Sequence, residues 1–248
     1  MSNMKDKIAT FVKKSKILNA IVTPIYGKYR RCILERRNAS ARRLFELYGL
    51  EALKAFDECM TKYGYPYTLM AGTLLGAVRE QGFIKHDIDI DVAMWYKHFD
   101  SVLYQRLEEY GFKRKFSYSV DNDTLGKEDS FLYKGVNIDI FYIYDSKGDY
   151  PYLCDFINHP NYYGIGGYKE CAQECGGLLP RRVEAPFTDS YIRTPFENDA
   201  FPIMENADDF LRFRYGDDYM IPNPNWSMKG KNPHIIEWVD KLGTFEVL

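Results

Sequence analysis

Between residues 70 and 95 the chain reads MAGTLLGAVREQGFIKHDIDIDVAMW, and in it Asp87, Asp89 and Asp91 alternate with Ile88, Ile90 and Val92. Successive side chains of an extended strand point to opposite faces, so the acids share one face and the branched aliphatics the other. The aliphatic face needs a core to cover it. The acidic face is a poor structural choice alone, because like charges two residues apart repel unless a hard, oxygen-seeking cation such as Mg2+ lies among them. A solvated acidic edge strand is the alternative. The apolar alternates and the turn ahead of them favour a sheet face that holds a cation.

Upstream, residues 66–70 are short, apolar and aromatic, which predicts a strand, and Gly72 and Thr73 then open a helix through Val78 and Arg79. Gly72 lets a ligand approach the backbone closely, Thr73 suits an N-cap, and the free N–H groups of a first helical turn favour a phosphate. Further on, VNIDIFYIY at residues 136–144 predicts a strand with one acid, Asp139, among apolar neighbours. A lone Asp in a buried strand is costly unless paired or metal-bound. If this strand lies beside the first, Asp89, Asp91 and Asp139 form a metal site with room for substrate phosphate oxygens. Gly-Thr, then Asp-Ile-Asp, then a lone Asp on a later strand is an order that resembles the nucleotidyltransferase fold. The predicted class is therefore α+β, a nucleotidyltransferase-like mixed β-sheet flanked by helices.

The resemblance extends below fold level. GTLLGAVREQGFIKHDIDID is similar to the signature of the LicD family of phosphocholine transferases, related to fukutin and fukutin-related protein. NIDIF resembles the family's second acidic strand, and FRYGDDYMIPNP its closing Tyr-Gly-Asp and proline-rich segment, so the matches span roughly residues 45–224. The chain departs from the family pattern at His86, where a Trp is usual, and at Ile88, where an extra Asp is usual. The resemblance implies Mg2+ or Mn2+ on the catalytic acids Asp89, Asp91 and Asp139, with Asp87 behind them or as an alternative ligand. It implies a phosphate-facing turn at Gly72 and Thr73. Arg79, Lys85 and His86 are further candidates to contact phosphate.

The implied activity moves a phosphoalcohol, phosphocholine or similar, from a CDP-alcohol donor to a sugar hydroxyl of a cell-surface glycan or its lipid-linked precursor. Such chemistry belongs to polysaccharide biosynthesis and to lipopolysaccharide or teichoic acid modification. Asp139 is also a candidate to take the acceptor proton, a role that metal coordination alone can replace. Three other readings stay open: a metal-dependent glycosyltransferase using Asp-x-Asp, a nucleotidyltransferase, and a non-catalytic relative that binds nucleotide or glycan.

Charge is uneven along the chain. Up to Phe45 there are twelve Lys and Arg against two acids, while the net charge of the whole is only -2, so the remainder is acidic. The sequence divides into a basic arm over residues 1–39 and a catalytic domain over residues 40–248. In the arm, cations such as Lys13, Lys14, Arg30 and Arg31 interleave with Phe11, Ile17, Leu18 and Ile21, a mixture that can lie on an anionic membrane surface or pack on the enzyme's own acidic body. Nothing downstream supplies a basic groove with stacking aromatics, which argues against nucleic acid. No secretory h-region or apolar run near twenty residues occurs, and five cysteines suit a reducing compartment, so the expected location is cytoplasmic, peripheral at the inner membrane face if the arm binds there.

Helical spacing predicts a core-facing helix over residues 41–63, another over 97–110 stopped by Gly111, and a third over 208–215. Residues 112–120 read as a strand, 121–130 as a polar turn, 163–167 as a glycine-rich loop beside the site, and 221–233 as a proline-rich surface tail. Cys154, His159, Cys171 and Cys175 have a loose zinc-ligand spacing, with idle buried thiols the alternative.

Overall fold

A computed structural model describes residues 16–85, 87–162, 167–223, 234–238 and 240–248, with side chains placed from Asn38 onward. The first helix, α1, runs Lys16–Tyr63, 48 residues or about 70 Å at 1.5 Å per residue, and continues unbroken across residues 38–41. Its second half buries Ala52, Leu53, Phe56, Cys59 and Met60, the recurrence expected of one helical face laid on a core.

Two strands form the centre of a mixed sheet. β2 (Asp89–Trp95) and β5 (Val136–Tyr144) run parallel, with β1 (Thr68–Leu69) antiparallel on the far side of β2. β4 (Gly126–Tyr133), β3 (Lys113–Val120) and β11 (Gly243–Val247) continue outward from β5, and β6 (Tyr152–Ile157), β7 (Leu179–Glu184) and β10 (Ile235–Glu237) follow from its end. Leu178 and Gly243 exchange two backbone hydrogen bonds of 2.8 Å, so the two wings of the sheet curl round and meet. A separate hairpin, β8 (Tyr191–Phe196) and β9 (Asp199–Met204), lies outside this sheet.

The alternation read from the sequence decides which face is covered. Ile90, Val92 and Met94 of β2 and Ile138, Ile140 and Tyr142 of β5 are fully buried in the core that α1 and α3 (Val102–Glu109) complete, as expected for apolar positions of period two. Phe56 of α1 meets Tyr67 and Phe112 edge to face at 5.1 and 6.0 Å. On the same face, Asp129 of β4 is buried but satisfied: Ser117, Tyr104 and Tyr142 donate to it at 2.7, 2.9 and 2.8 Å, and Arg114 and Lys127 stand 3.6 Å away. The opposite face carries the acids, and α2 (Ala71–Arg79), α4 (Tyr168–Cys175) and α5 (Ala207–Tyr215) complete the fold.

Several expectations need correction. The helix anticipated over 97–110 splits into a short 3-10 turn at Tyr96–His98 and the eight-residue α3. Residues 121–130 are a turn only at their start; Gly126 onward is β4, whose charged residues serve both faces and hide the alternation. Thr73 is not the N-cap of α2. That position belongs to Met70, with no side-chain cap, and Thr73 is the third residue inside the helix. The strand of residue 89 begins after Asp87, which sits in the preceding loop. Residues 163–166 of the expected loop, residues 224–233 of the expected tail and residues 1–15 of the arm lie outside the described residues. Among the described residues no helix is long and apolar enough to cross a membrane.

Candidate active site

The parallel register of β2 and β5 sets Asp91 directly opposite Asp139 and Asp89 opposite Asn137. Across the other edge of β5, Ser130 of β4 pairs with Asp139, and Glu128 pairs with Phe141. Since residues two apart share a face, Asp89, Asp91, Asn137, Asp139, Ser130 and Glu128 all belong to the side of the sheet opposite the α1 core. Asp87 reaches the same place from its loop. A Cβ on Gly72 would stand 3.1 Å from Asp87 Oδ1, so this glycine gives the acid its room.

The N-terminus of α2 closes one end of the site. The Gly72 backbone N–H favours the charged form of the Asp91 carboxylate, the kind of anion stabilisation that an open helical turn offers. Ala71, just before it, holds φ at +45°, a backbone conformation that a residue with a Cβ rarely adopts. Thr73 Oγ1 accepts the Asp91 backbone N–H at 3.0 Å, and the Met70 N–H donates to the Asp91 carbonyl at 2.9 Å, so helix and strand are tied at this residue from both sides. Asn137 Nδ2 donates to both oxygens of Asp139 at 2.7 Å, and Lys115 Nζ donates to Asn137 Oδ1 at 2.9 Å. Lys115 sits where β3 shifts register against β4 between Arg114 and Phe116, a bulge that re-aims a side chain.

The electrostatics follow from that crowding. Burial, with the Asp89 charge added, pushes the Asp87 carboxyl up to about 6, against the pull of the Ile84 N–H. Burial raises Asp139 to about 6 as well, while Ser130, Asn137 and Lys115 restrain it. Asp91 is driven well above the carboxylate range by burial and by Asp89, Asp139 and Asp87, and Asp89 is raised by burial. An acid with a raised folded pKa weakens the fold fully above that value. The penalty is relieved as pH falls through about 6, because the folded state then takes up protons before the unfolded chain does. The cation-free protein should therefore gain melting temperature between pH 7.5 and 5.5, and Asp139→Asn should reduce that gain. A gain of equal size in the variant would contradict the assignment.

Arg79 is close enough to Asp87 to favour its charged form, yet its guanidinium is ion-paired with Glu80 at 2.7 Å. Lys85 is exposed in the turn leading to Asp87, and His86 lies outside the described residues. A cavity of about 190 Å³ adjoins the acids. Met70, Phe141, Phe187 and Phe210 are among its apolar walls, with Asp91 at one side and Asp155 and Arg214 as the other charged groups. Asp155 is satisfied by a two-pronged pair with Arg181 at 2.8 and 2.5 Å.

Glu128, Lys115, Asn137, Asp155 and Arg214 escaped the sequence reading. Two lie in segments that carried a signal, Asn137 in NIDIF and Arg214 in FRYGDDY, but neither residue was itself marked. Cys171 Sγ accepts the His159 backbone N–H at 3.1 Å, and Cys175 lies one turn along α4, while Cys154 is buried against Gly126. Among the described residues no three His, Cys, Asp or Glu side chains are gathered into a ready metal set. The donor chemistry of Asp89, Asp91 and Asp139 nevertheless suits a hard divalent ion. All are oxygen ligands, two of them opposite one another in register, and all resist ionising together.

Residues 64–164 match the model of the LicD/FKTN/FKRP nucleotidyltransferase domain. Over 195 residues, 77% of the chain, the sequence is 23% identical to the mouse ribitol-5-phosphate transferase FKTN, covering 37% of that protein. It is 40% identical over 68 residues, 26% of the chain, to the lipopolysaccharide cholinephosphotransferase LicD of Haemophilus influenzae, covering 26% of it. An uncharacterized protein of Rickettsia typhi is 35% identical over 85 residues, 33% of the chain and 26% of that protein. The chain thus spans between about a quarter and two fifths of the length of these relatives.

Proposed function

The chain belongs to the LicD family, and on that premise we propose that it is a phosphotransferase that moves a phosphoalcohol from a CDP-alcohol to a glycan hydroxyl. The observation that carries the reading is the register of Asp91 against Asp139, with Asp89 on the same face and the open turn of α2 at its end. Strand, glycine turn and helix followed by paired acids on parallel strands support a nucleotidyltransferase-like sheet. The relatives named for ribitol phosphate and choline phosphate transfer support the phosphoalcohol.

Asp89, Asp91 and Asp139 would hold Mg2+ or Mn2+. Once bound, such an ion would neutralise charge on the diphosphate and on the departing nucleotide. The chain's own groups account for the rest. The first turn of α2 offers N–H groups to a donor phosphate, and Lys115 and Arg214 are cations close enough to balance its charge. Asn137 fixes the Asp139 carboxylate in one orientation, which leaves less to reorganise during reaction. The apolar cavity beside Asp91 shields one flank of the acids from water.

Ligand classes separate the readings. In the presence of Mg2+, CDP-choline, CDP-ribitol or CDP-glycerol should raise the melting temperature more than nucleotide sugars or nucleoside triphosphates do, and chelation should abolish the difference. Stabilisation by a nucleotide sugar alone would favour the glycosyltransferase reading instead.

A further inference from the structure

The attacking hydroxyl loses its proton in the reaction, and we infer that the group that accepts it is Glu128 of β4. The inference rests on the phosphotransferase reading of the site and goes beyond it by choosing among the acids on one sheet face.

Each of the other carboxylates there is engaged. Asp139 has both oxygens held by Asn137 at 2.7 Å. Asp87 Oδ2 accepts the Ile84 N–H at 3.3 Å, and the backbone N–H groups of Gly72 and Asp89 favour the charged forms of Asp91 and Asp89. Asp155 is locked to Arg181. Among the described residues nothing donates a hydrogen bond to Glu128 and no cation pairs with it. A base works best with its oxygens unengaged, and among the described residues Glu128 is the carboxylate of this face to which no group donates.

Its position is also suitable. Glu128 is one register step from the Ser130–Asp139 pair, on the site face of the adjacent strand, which puts it diagonal to Asp139 and within reach of the same substrate. It is partly rather than fully buried, so a hydroxyl can approach it. Its cross-strand neighbour on β3 is Tyr118, which stacks on Phe156 at 5.1 Å and meets Tyr168 edge to face at 6.1 Å. This aromatic wall, with Tyr168 39% exposed, offers a sugar ring an apolar surface beside the carboxylate. The charged and titratable groups acting on Glu128 are Asp139 of β5, Asp155 of β6, Asp91 of β2 and Asp129 beside it on β4, all of which raise its proton affinity, as burial does first. A carboxylate bound to a divalent cation has the opposite bias, because the cation opposes protonation. The ligand acids are thus poor bases for the same reason that they are good ligands.

The acceptor R–OH gives its proton to a Glu128 oxygen as its own oxygen bonds to the phosphorus that carries the alcohol. The bond from that phosphorus to the bridging oxygen breaks, and its electron pair leaves with CMP. The proton passes from Glu128 to solvent.

The test compares wild type, Glu128→Gln, Glu128→Asp and Asp89→Asn. CMP release is measured from CDP-choline, CDP-ribitol and CDP-glycerol with a crude lipid-linked glycan extract, alongside Mg2+ affinity by calorimetry and cation-free melting temperature. Glu128→Gln should lower kcat about 10²–10⁴-fold, leave the donor KM and the Mg2+ affinity within about threefold of wild type, and raise the melting temperature by removing an unpartnered charge. Glu128→Asp should recover part of the rate. Asp89→Asn should lose Mg2+ affinity. Turnover of Glu128→Gln within threefold of an active wild type overturns the assignment. Loss of its Mg2+ affinity overturns it too, since Glu128 would then be a ligand, and a lower melting temperature would make it a structural residue. If wild type releases no CMP from any donor, the phosphotransferase reading falls and this role falls with it, an outcome distinct from an active wild type with an active variant.

Discussion

Asp89→Asn or Asp91→Asn should reduce turnover by about a thousandfold or more, roughly 4 kcal/mol of transition-state stabilisation at 1.4 kcal/mol per decade, while the fold survives. Each change removes one charge at nearly constant volume. Without added cation the melting temperature should not fall, because both acids are raised by burial and Asp91 also by its acidic neighbours, so neutralising either relieves the folded state. At saturating Mg2+ the order should reverse, since wild type alone gains the binding energy. Steady-state rates and melting curves at two Mg2+ concentrations suffice to check both halves. Near wild-type turnover in either variant would remove these acids from the chemistry.

The second large effect is structural and lies at Gly76. It sits within α2, where alanine is ordinarily favoured over glycine by about 1 kcal/mol. A Cβ there would stand 2.4 Å from the Gly82 carbonyl oxygen and 3.2 Å from the Ile84 nitrogen, both backbone atoms. The chain leaving α2 folds back onto this glycine and then presents Asp87, whose carboxylate accepts the Ile84 N–H. Steric displacement, about 1–3 kcal/mol for overpacking, should therefore outweigh helix propensity. Gly76→Ala should lower the melting temperature by about 2–10 °C for a chain of this size and weaken Mg2+ binding through displaced Asp87. Gly148→Ala is the control: its nearest contact is the movable Ser146 hydroxyl oxygen at 3.2 Å, in an exposed turn. A melting temperature for Gly76→Ala at or above wild type would contradict the packing argument.

These two sites also show what was legible in the sequence. Asp89 and Asp91 stood out because two-residue alternation leaves no other arrangement for acids interleaved with Ile88, Ile90 and Val92, and Asp139 because one carboxylate in VNIDIFYIY is costly without a purpose. Glu128 was hidden by its neighbours. Lys127 and Asp129 face the covered side, where Tyr104, Tyr142 and Ser117 satisfy Asp129, so the strand has charges on both faces and reads as a turn. Lys115 owes its place to a bulge, which a period-two pattern cannot anticipate. Arg214 and Asp155 reach the cavity only through the path of β6 and α5, long-range packing with no local signature. The same holds for the meeting of Leu178 with Gly243 that closes the curl of the sheet.

The bond that breaks tests the account most directly. Attack on the phosphorus bearing the alcohol of a CDP-alcohol frees CMP, attack at the anomeric carbon of a nucleotide sugar frees a nucleoside diphosphate, and attack on the innermost phosphorus of a triphosphate frees pyrophosphate. Nucleotide products would be separated chromatographically after incubation with Mg2+ and a crude glycan or lipid-linked extract, with CDP-choline, CDP-ribitol, CDP-glycerol or CDP-ethanolamine as donor. CMP should appear above the level of an Asp89→Asn control. A nucleoside diphosphate as the sole product from any donor, or pyrophosphate from CTP or ATP, would contradict phosphoalcohol transfer.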